Sequence, residues 1–366
     1  MKTLLFTIEY PPQVGGVANY YEQLVKYWPD RERLAVLDNA GEKLVNSKLR
    51  FFKWRPAFKE LSRAVKEHGT SHIVVGQLLP LGTVAWLRAK RLGCTYSVVL
   101  HGMDLPFAMR SARKRWLAKR VLHGAEKVIC SNSYVAELVK PLLQDITKIA
   151  VVNPGIGEMP AIDPLITNSL IAKYALTGKT VIFSISRLVK RKGMDMVIRS
   201  LPELFAQDPN LIYVIAGTGP DENYLKGLVS ALPADCQSRI IFTGQVTDAE
   251  KWSWMSLCRL FVMPARDIEG DFEGFGIVFL EANQMGKPVI AGRSGGSPDA
   301  VVSDHNGLLV NPEDTNEIRQ AIQTLVLDPA YAEKLGAQGR ERALRHFSWN
   351  EKARQFYAIL FPNNKF

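Results

Sequence analysis

Short apolar runs rich in β-formers alternate with helical patterns along the whole chain, and this alternation confines it to α/β folds built on parallel sheets. In the first half, strands are predicted at Thr3–Ile8, Leu34–Leu37, Arg50–Lys53, His72–Val75, Thr95–Leu100, Lys127–Cys130 and Ile149–Val152. The turn-forming cluster Asn153-Pro154-Gly155 interrupts the pattern. It restarts at Thr180–Ser184, Leu211–Ala216, Ile240–Thr243, Leu260–Met263, Pro288–Ala291 and Gly307–Val310. Two Rossmann-like domains are therefore expected, residues 1–152 and 153–347, followed by a helical segment at 348–366. Two such domains on one linker would leave a cleft between the carboxyl ends of both sheets, so function belongs in the loops that follow strands.

Composition removes several alternatives. With 366 residues, 47% of them hydrophobic and 22% charged, the chain has material for two cores and is neither disordered nor a small disulfide scaffold. Its apolar runs stop far short of the roughly 20 residues of a membrane-spanning helix, and Glu9 interrupts the first run before a signal-peptide core forms. Cys94, Cys130, Cys236 and Cys258 make no Cys-x-x-Cys pair, so neither a zinc site nor a disulfide framework is expected, and a cytoplasmic setting fits. The net charge of +10 is lopsided: residues 1–150 hold 24 Lys and Arg against 12 Asp and Glu, and the remainder 22 against 24. An acidic partner for the first half follows, whether an anionic membrane surface, a phosphorylated acceptor or nucleic acid. With no recognisable nucleic-acid module in the chain, the last is set aside.

The loops carry the chemistry. Gly15-Gly16 precede a helix, a pattern that serves a tight turn or lets phosphate reach free N–H groups. The strand ending in VVLHGMDL places His101 and Asp104 at a strand end, where a histidine is either a packed structural residue or a functional one. In SISRLVKRKG, Arg187 and Lys192 bracket a short loop before a helix beginning near Gly193; such cations are either solvated or a clamp for a diphosphate leaving group. The turn AGTGP lacks a complete dinucleotide fingerprint. In EGFGIVFLE, seven residues separate Glu273 from Glu281. A continuous helix there would set the two carboxylates about 12 Å apart, near the span from hexose to ribose in a nucleotide-sugar, with N–H groups between them for phosphates. Ser294-Gly295-Gly296 at the next strand end makes two merely solvated glutamates a poor account of the segment.

Taken in order, the Gly15-Gly16 loop, HGMD, NPGI, SRLVKRKG, AGTGP, EGFGIVFLE, GKPVIAGRSGG and NGLLV resemble the retaining glycosyltransferases of family 4, across essentially the whole chain. The resemblance implies the GT-B fold and a nucleotide-sugar donor. It implies that Arg187 and Lys192 contact the donor diphosphate, that Glu281 holds the ribose, and that Glu273 holds the transferred sugar beside the N–H groups of Phe275 and Gly276. Gly16 would approach the phosphates from the first domain, and His101 would steady an oxocarbenium-like transition state. Retention by front-face attack suits a chain without the carboxylate pair of a glycosidase. No Asp-x-Asp occurs in the sequence, and Arg187 with Lys192 would do the electrostatic work of a divalent ion, so metal-independent activity is expected. The C-terminal helix would pack back on the first domain.

Within the family, EGFGIVFLEANQMGKPVIAGRSGGSPDAV is most similar to bacterial phosphatidylinositol mannosyltransferases, which implies GDP-mannose as donor and a lipid-linked or glycan acceptor. A UDP-sugar transferase, or a GT-B epimerase or phosphorylase, remains the alternative. Acceptor binding falls to the first domain, with Tyr10 and the basic segment 107–124, where Arg110, Arg113, Lys114, Arg115, Lys119 and Arg120 surround Trp116. On a helical wheel these cations occupy more than one face. Peripheral attachment to the inner face of the cytoplasmic membrane is expected.

Overall fold

The computed structural model describes residues 2–46 and 53–362. The chain divides into two compact units, one formed by the described residues of Met1–Gly155 and Trp349–Phe366, the other by Ile156–Ser348.

The first unit is a parallel sheet of β1 (Thr3–Phe6), β2 (Leu34–Leu37), β3 (His72–Val75), β4 (Thr95–Leu100), β5 (Val128–Cys130) and β6 (Ile149–Val151), in the order β2-β1-β3-β4-β5-β6. Strands buried on both faces read as continuous apolar runs, which is why they were visible in the sequence. The strand expected at Arg50–Lys53 lies outside the described residues except for Lys53, which stands in a turn. β1 stops at Phe6 rather than Ile8, because the Ile8 N–H turns to Gln77 Oε1 (2.9 Å) instead of a neighbouring strand. Helix Trp349–Leu360 lies in this unit and adds Trp349, Phe356 and Tyr357 to a core with Tyr20, Leu24 and Trp28.

The second unit is a parallel sheet of β7 (Thr180–Ile185), β8 (Leu211–Ala216), β9 (Ile240–Gly244), β10 (Leu260–Met263), β11 (Val289–Gly292) and β12 (Gly307–Val310), ordered β12-β11-β10-β7-β8-β9. Phe183, Trp254, Phe261 and Phe279 fill its centre at zero exposure, with the Phe183 and Trp254 rings stacked. Truncating a buried aromatic of this kind costs about 3–5 kcal/mol.

Candidate active site

Strand order locates the candidate site in each unit. In an open α/β sheet, ligands bind beyond the carboxyl ends of the strands where the chain's winding reverses. In the second sheet the reversal falls between β7 and β10, and in the first between β1 and β3.

In the second unit the loop after β7 carries Arg187, Arg191 and Lys192, and the loop after β10 carries Glu273. Contacts near the backbone press these loops together. Gly193 adopts φ +80°, and a Cβ there would come within 2.2 Å of the Pro264 carbonyl. The Arg266 N–H donates to the Arg191 carbonyl (2.8 Å), and the Arg266 guanidinium forms a buried pair with Asp195 (2.8 Å). From the other side the Gly296 N–H donates to the Glu273 carbonyl (2.8 Å), and Gly295, at φ +56°, leaves no room for a Cβ against that same oxygen. Ser294-Gly295-Gly296 thus seats the Glu273 loop.

Glu273 is only 9% exposed, and burying a carboxylate demands paired charge. Its Oε2 accepts from Lys192 Nζ and from Arg191 Nη1 (3.0 Å), while Arg191 Nε reaches Asp271 Oδ1 at 3.0 Å. Arg187 is exposed on the same loop. Glu281 sits on helix Ile277–Gln284, where Oε1 accepts from Lys251 Nζ (2.9 Å). The continuous helix expected from Glu273 to Glu281 is not formed: it begins only at Ile277, behind Gly276 at φ +80°, so the 12 Å helical rise does not measure the separation of the two carboxylates. Phe275 turns its ring into the core against Phe347, with centroids 5.8 Å apart. Arg191 was passed over in the sequence although it stands in the same basic run. Lys251 carried no signal at all, because its pairing with Glu281 exists only once two helices meet.

In the first unit the site is a hydrogen-bond network around a neutral imidazole. Tyr21 Oη donates to the Gly76 carbonyl (2.8 Å), spending its one proton, so its contact with His101 Nε2 at 2.9 Å requires the imidazole to donate. His101 is therefore the Nε2–H tautomer, with its lone pair on Nδ1. Desolvation lowers its pKa to about 4, and the ring is neutral at neutral pH. Tyr20 and Tyr21 pack edge-on to the imidazole, and Trp349 packs edge-on to Tyr20. Asp104 accepts from the N–H groups of His101 (3.0 Å) and Leu78 (3.3 Å), joining the β4 loop to the β3 loop, and burial raises its pKa despite those bonds. Among the described residues, helix Gly16–Lys26 starts at Gly15 without a side-chain cap, and beyond the adjoining residues and the helix's own backbone no atom lies within 4 Å of a Cβ built on Gly15 or Gly16. Tyr21, too, went unnoticed in the sequence, as an apolar-face residue among others.

The basic segment is two helices, Asp104–Met109 and Ala112–Gly124. Ser111 is extended between them and caps the second, accepting from the Lys114 N–H (3.3 Å). Ala118, Val121 and Leu122 bury one stripe, and Arg113, Arg115, Trp116, Lys119 and Arg120 are exposed around it. Trp116 meets Trp86 edge-on, and Arg120 covers the Trp116 ring. Tyr10 does not join this group; it lines a different cavity with Arg31 and Glu67. Among the described residues, no helix is long and apolar enough to cross a membrane, and no three His, Cys, Asp or Glu side chains are grouped to hold a metal ion.

Comparison with known proteins adds to this geometry. A glycosyl transferase 4-like domain matches residues 15–155, and the family of glycosyl transferases group 1 matches residues 168–342. The GDP-mannose-dependent alpha-(1-6)-phosphatidylinositol monomannoside mannosyltransferase of Mycolicibacterium smegmatis is 29% identical, over 98% of this chain and 97% of its own. A monoacylated-substrate counterpart from Corynebacterium glutamicum is 27% identical over 98% and 97%. Among solved structures, Anabaena HepE in complex with UDP superposes with a TM-score of 0.80 at 20% identity, covering 98% of this chain and 99% of that one. A glycosyltransferase from Rickettsia africae gives 0.80 at 18% identity, with 99% of each chain covered.

Proposed function

Because the chain belongs to the group 1 glycosyltransferases and has their GT-B fold, we propose that this glycosyltransferase moves mannose from GDP-mannose, with retention, to a lipid-linked acceptor at a membrane face. The observation that carries the reading is the joining of Lys192 and Arg191 on the buried Glu273 at the β7/β10 reversal. A diphosphate placed there would draw the two cations onto its oxygens as leaving-group charge grows, and free the Glu273 carboxylate to accept sugar hydroxyls. Arg187 adds a third cation on the same loop. By the same exchange Lys251 releases Glu281 to the ribose hydroxyls.

We assign the N–H groups of Phe275 and Gly276 and the uncapped helix start at Gly16 to the donor phosphates. His101 is assigned to the transferred sugar. A neutral imidazole beside a ring that is gaining positive charge adds no repulsion, whereas an imidazolium would oppose the reaction. With cations for the diphosphate and no Asp-x-Asp in the sequence, activity is expected without added divalent metal. The relatives named for GDP-mannose and phosphatidylinositol monomannoside support the donor and acceptor choices, and the exposed cations around Trp116 support attachment to an anionic inner membrane face.

Thermal stabilisation by GDP, UDP, ADP and TDP and their sugars, in chelator and then with magnesium, tests the donor. A ligand at about 100 times its dissociation constant adds roughly 2.7 kcal/mol. Selective stabilisation by GDP and GDP-mannose in chelator is expected. Selectivity for UDP would discard mannose in favour of a UDP-sugar, and a response only with magnesium would overturn metal independence. Turnover of a nucleotide-sugar to its epimer without acceptor would point instead to an epimerase.

A further inference from the structure

A cavity of about 530 Å³ opens in the first unit beside the basic helix, and the donor-site chemistry makes no use of it. Its walls are apolar, built from Trp54, Leu79, Pro80, Phe107 and Leu117, and Arg113 and Lys114 line it from the helix Ala112–Gly124. Lys114 Nζ lies 3.6 Å from the centre of the Phe107 ring, whose side chain is 40% exposed.

Two further observations point to a ligand. The first is the Thr83 hydroxyl, which belongs to a cavity-lining residue only 3% exposed and has no hydrogen-bond partner among the described residues. A buried hydroxyl without a partner is costly; its oxygen is also closed off from the cavity, so a turn about χ1 of Thr83 is what would carry it to a ligand acceptor atom. The second is unbalanced charge. No carboxylate occurs in the sequence from Leu105 to Ala125, and none of the six cations from Arg110 to Arg120 makes an ion pair among the described residues. An apolar pocket with a cationic edge and one buried hydroxyl matches an amphiphile: hydrocarbon within, phosphate at the cations, an ester carbonyl at the junction.

We propose that this cavity holds the acyl chain next to the headgroup of an anionic phospholipid, with the phosphate on Arg113 and Lys114 and the ester carbonyl accepting from Thr83. The proposal rests on the lipid-acceptor reading above and deepens it, since that lipid is then the acceptor. The cavity serves as a chain-length gauge, because each methylene buried is worth roughly fourfold in affinity until the cavity is full.

The test uses lysophosphatidylinositol with a brominated acyl chain, kept below its critical micelle concentration, and reads quenching of tryptophan fluorescence in the full chain. Saturable quenching is expected, largely lost in Trp54→Phe, and weakened about tenfold when lysophosphatidylcholine, with no net charge, replaces the anionic lipid. Leu117→Glu should weaken binding by more than tenfold. Thr83→Val, of nearly the same shape and free of the orphaned hydroxyl, should fold at least as well and weaken binding by about two- to tenfold. The same variants are assayed for mannosyl transfer to intact phosphatidylinositol and to its deacylated headgroup, where only KM for the intact lipid should rise. Quenching that is absent, or untouched by both Leu117→Glu and Trp54→Phe, overturns the cavity assignment even if lipid is mannosylated. Quenching as expected with no transfer to any lipid upholds the cavity and overturns the acceptor reading instead.

Discussion

The two sheets place chemically opposite sites at the same topological position. Beyond β7 and β10 the second unit gathers full charges: two cations on the buried Glu273 and a third on Glu281. Beyond β1, β3 and β4 the first unit gathers a neutral imidazole, a tyrosine hydroxyl and backbone amides around Asp104, with Glu9 on the β1 loop close enough for the two carboxyl groups to repel. Under the proposed function, electrostatics accounts for the division. A leaving diphosphate gains negative charge and calls for cations, whereas a sugar ring approaching an oxocarbenium ion calls for groups that bind hydroxyls without adding positive charge. On the proposed function, one layer architecture would support both tasks, with the loop residues deciding which one a unit performs.

The contrast is testable through its strongest member first. Lys192→Ala should lower kcat/KM by about 10²–10³-fold, the range for loss of one preorganised electrostatic contact. A drop under tenfold would remove the charged half of the comparison. His101→Ala should reduce kcat by about 10–100-fold with little change in donor KM, as expected for one hydrogen bond made in the transition state. An unchanged kcat would make His101 a packing residue. Glu281→Ala should weaken GDP-mannose binding about tenfold in calorimetry while leaving kcat near that of the parent. Unchanged affinity would remove the ribose role.

The finest probe is Tyr21→Phe, which deletes the acceptor of the His101 N–H and keeps the ring. Turnover should fall several-fold, because the tautomer is no longer held. The pH profile distinguishes this from loose packing. His101 has a folded pKa of about 4 against an ordinary 6.5, so protons favour the unfolded chain between those values. The group's contribution to stability is complete above about 6.5 and declines as pH falls towards 4. Activity of the parent enzyme should therefore show no acid limb near 6.5 from this residue. A limb at 6.5 that vanishes in His101→Gln would show the imidazole to be exposed and titrating normally.

Much of the fold was readable from local pattern alone. Twelve strands at or within two residues of their expected positions reflect parallel strands buried on both faces, whose apolar runs need no partner to be seen. The misplaced end of β1 marks where a side chain competes for the backbone, as Gln77 does for Ile8. Gly295 read as a ligand loop, yet its φ of +56° and close approach to the Glu273 carbonyl also give it a structural duty.

Residue types and their order sufficed for the fold class, for the cationic loop before Gly193 and for the unbalanced charge of the first half, because propensity, periodicity and charge are local properties. Partnership is not local. That Lys251 meets Glu281 across 30 residues, that Tyr21 reaches His101 across 80, and that no described residue pairs with the Thr83 hydroxyl all depend on elements meeting in space. A neutral His101 follows only from that assembly, since burial, and no neighbour in sequence, lowers its pKa.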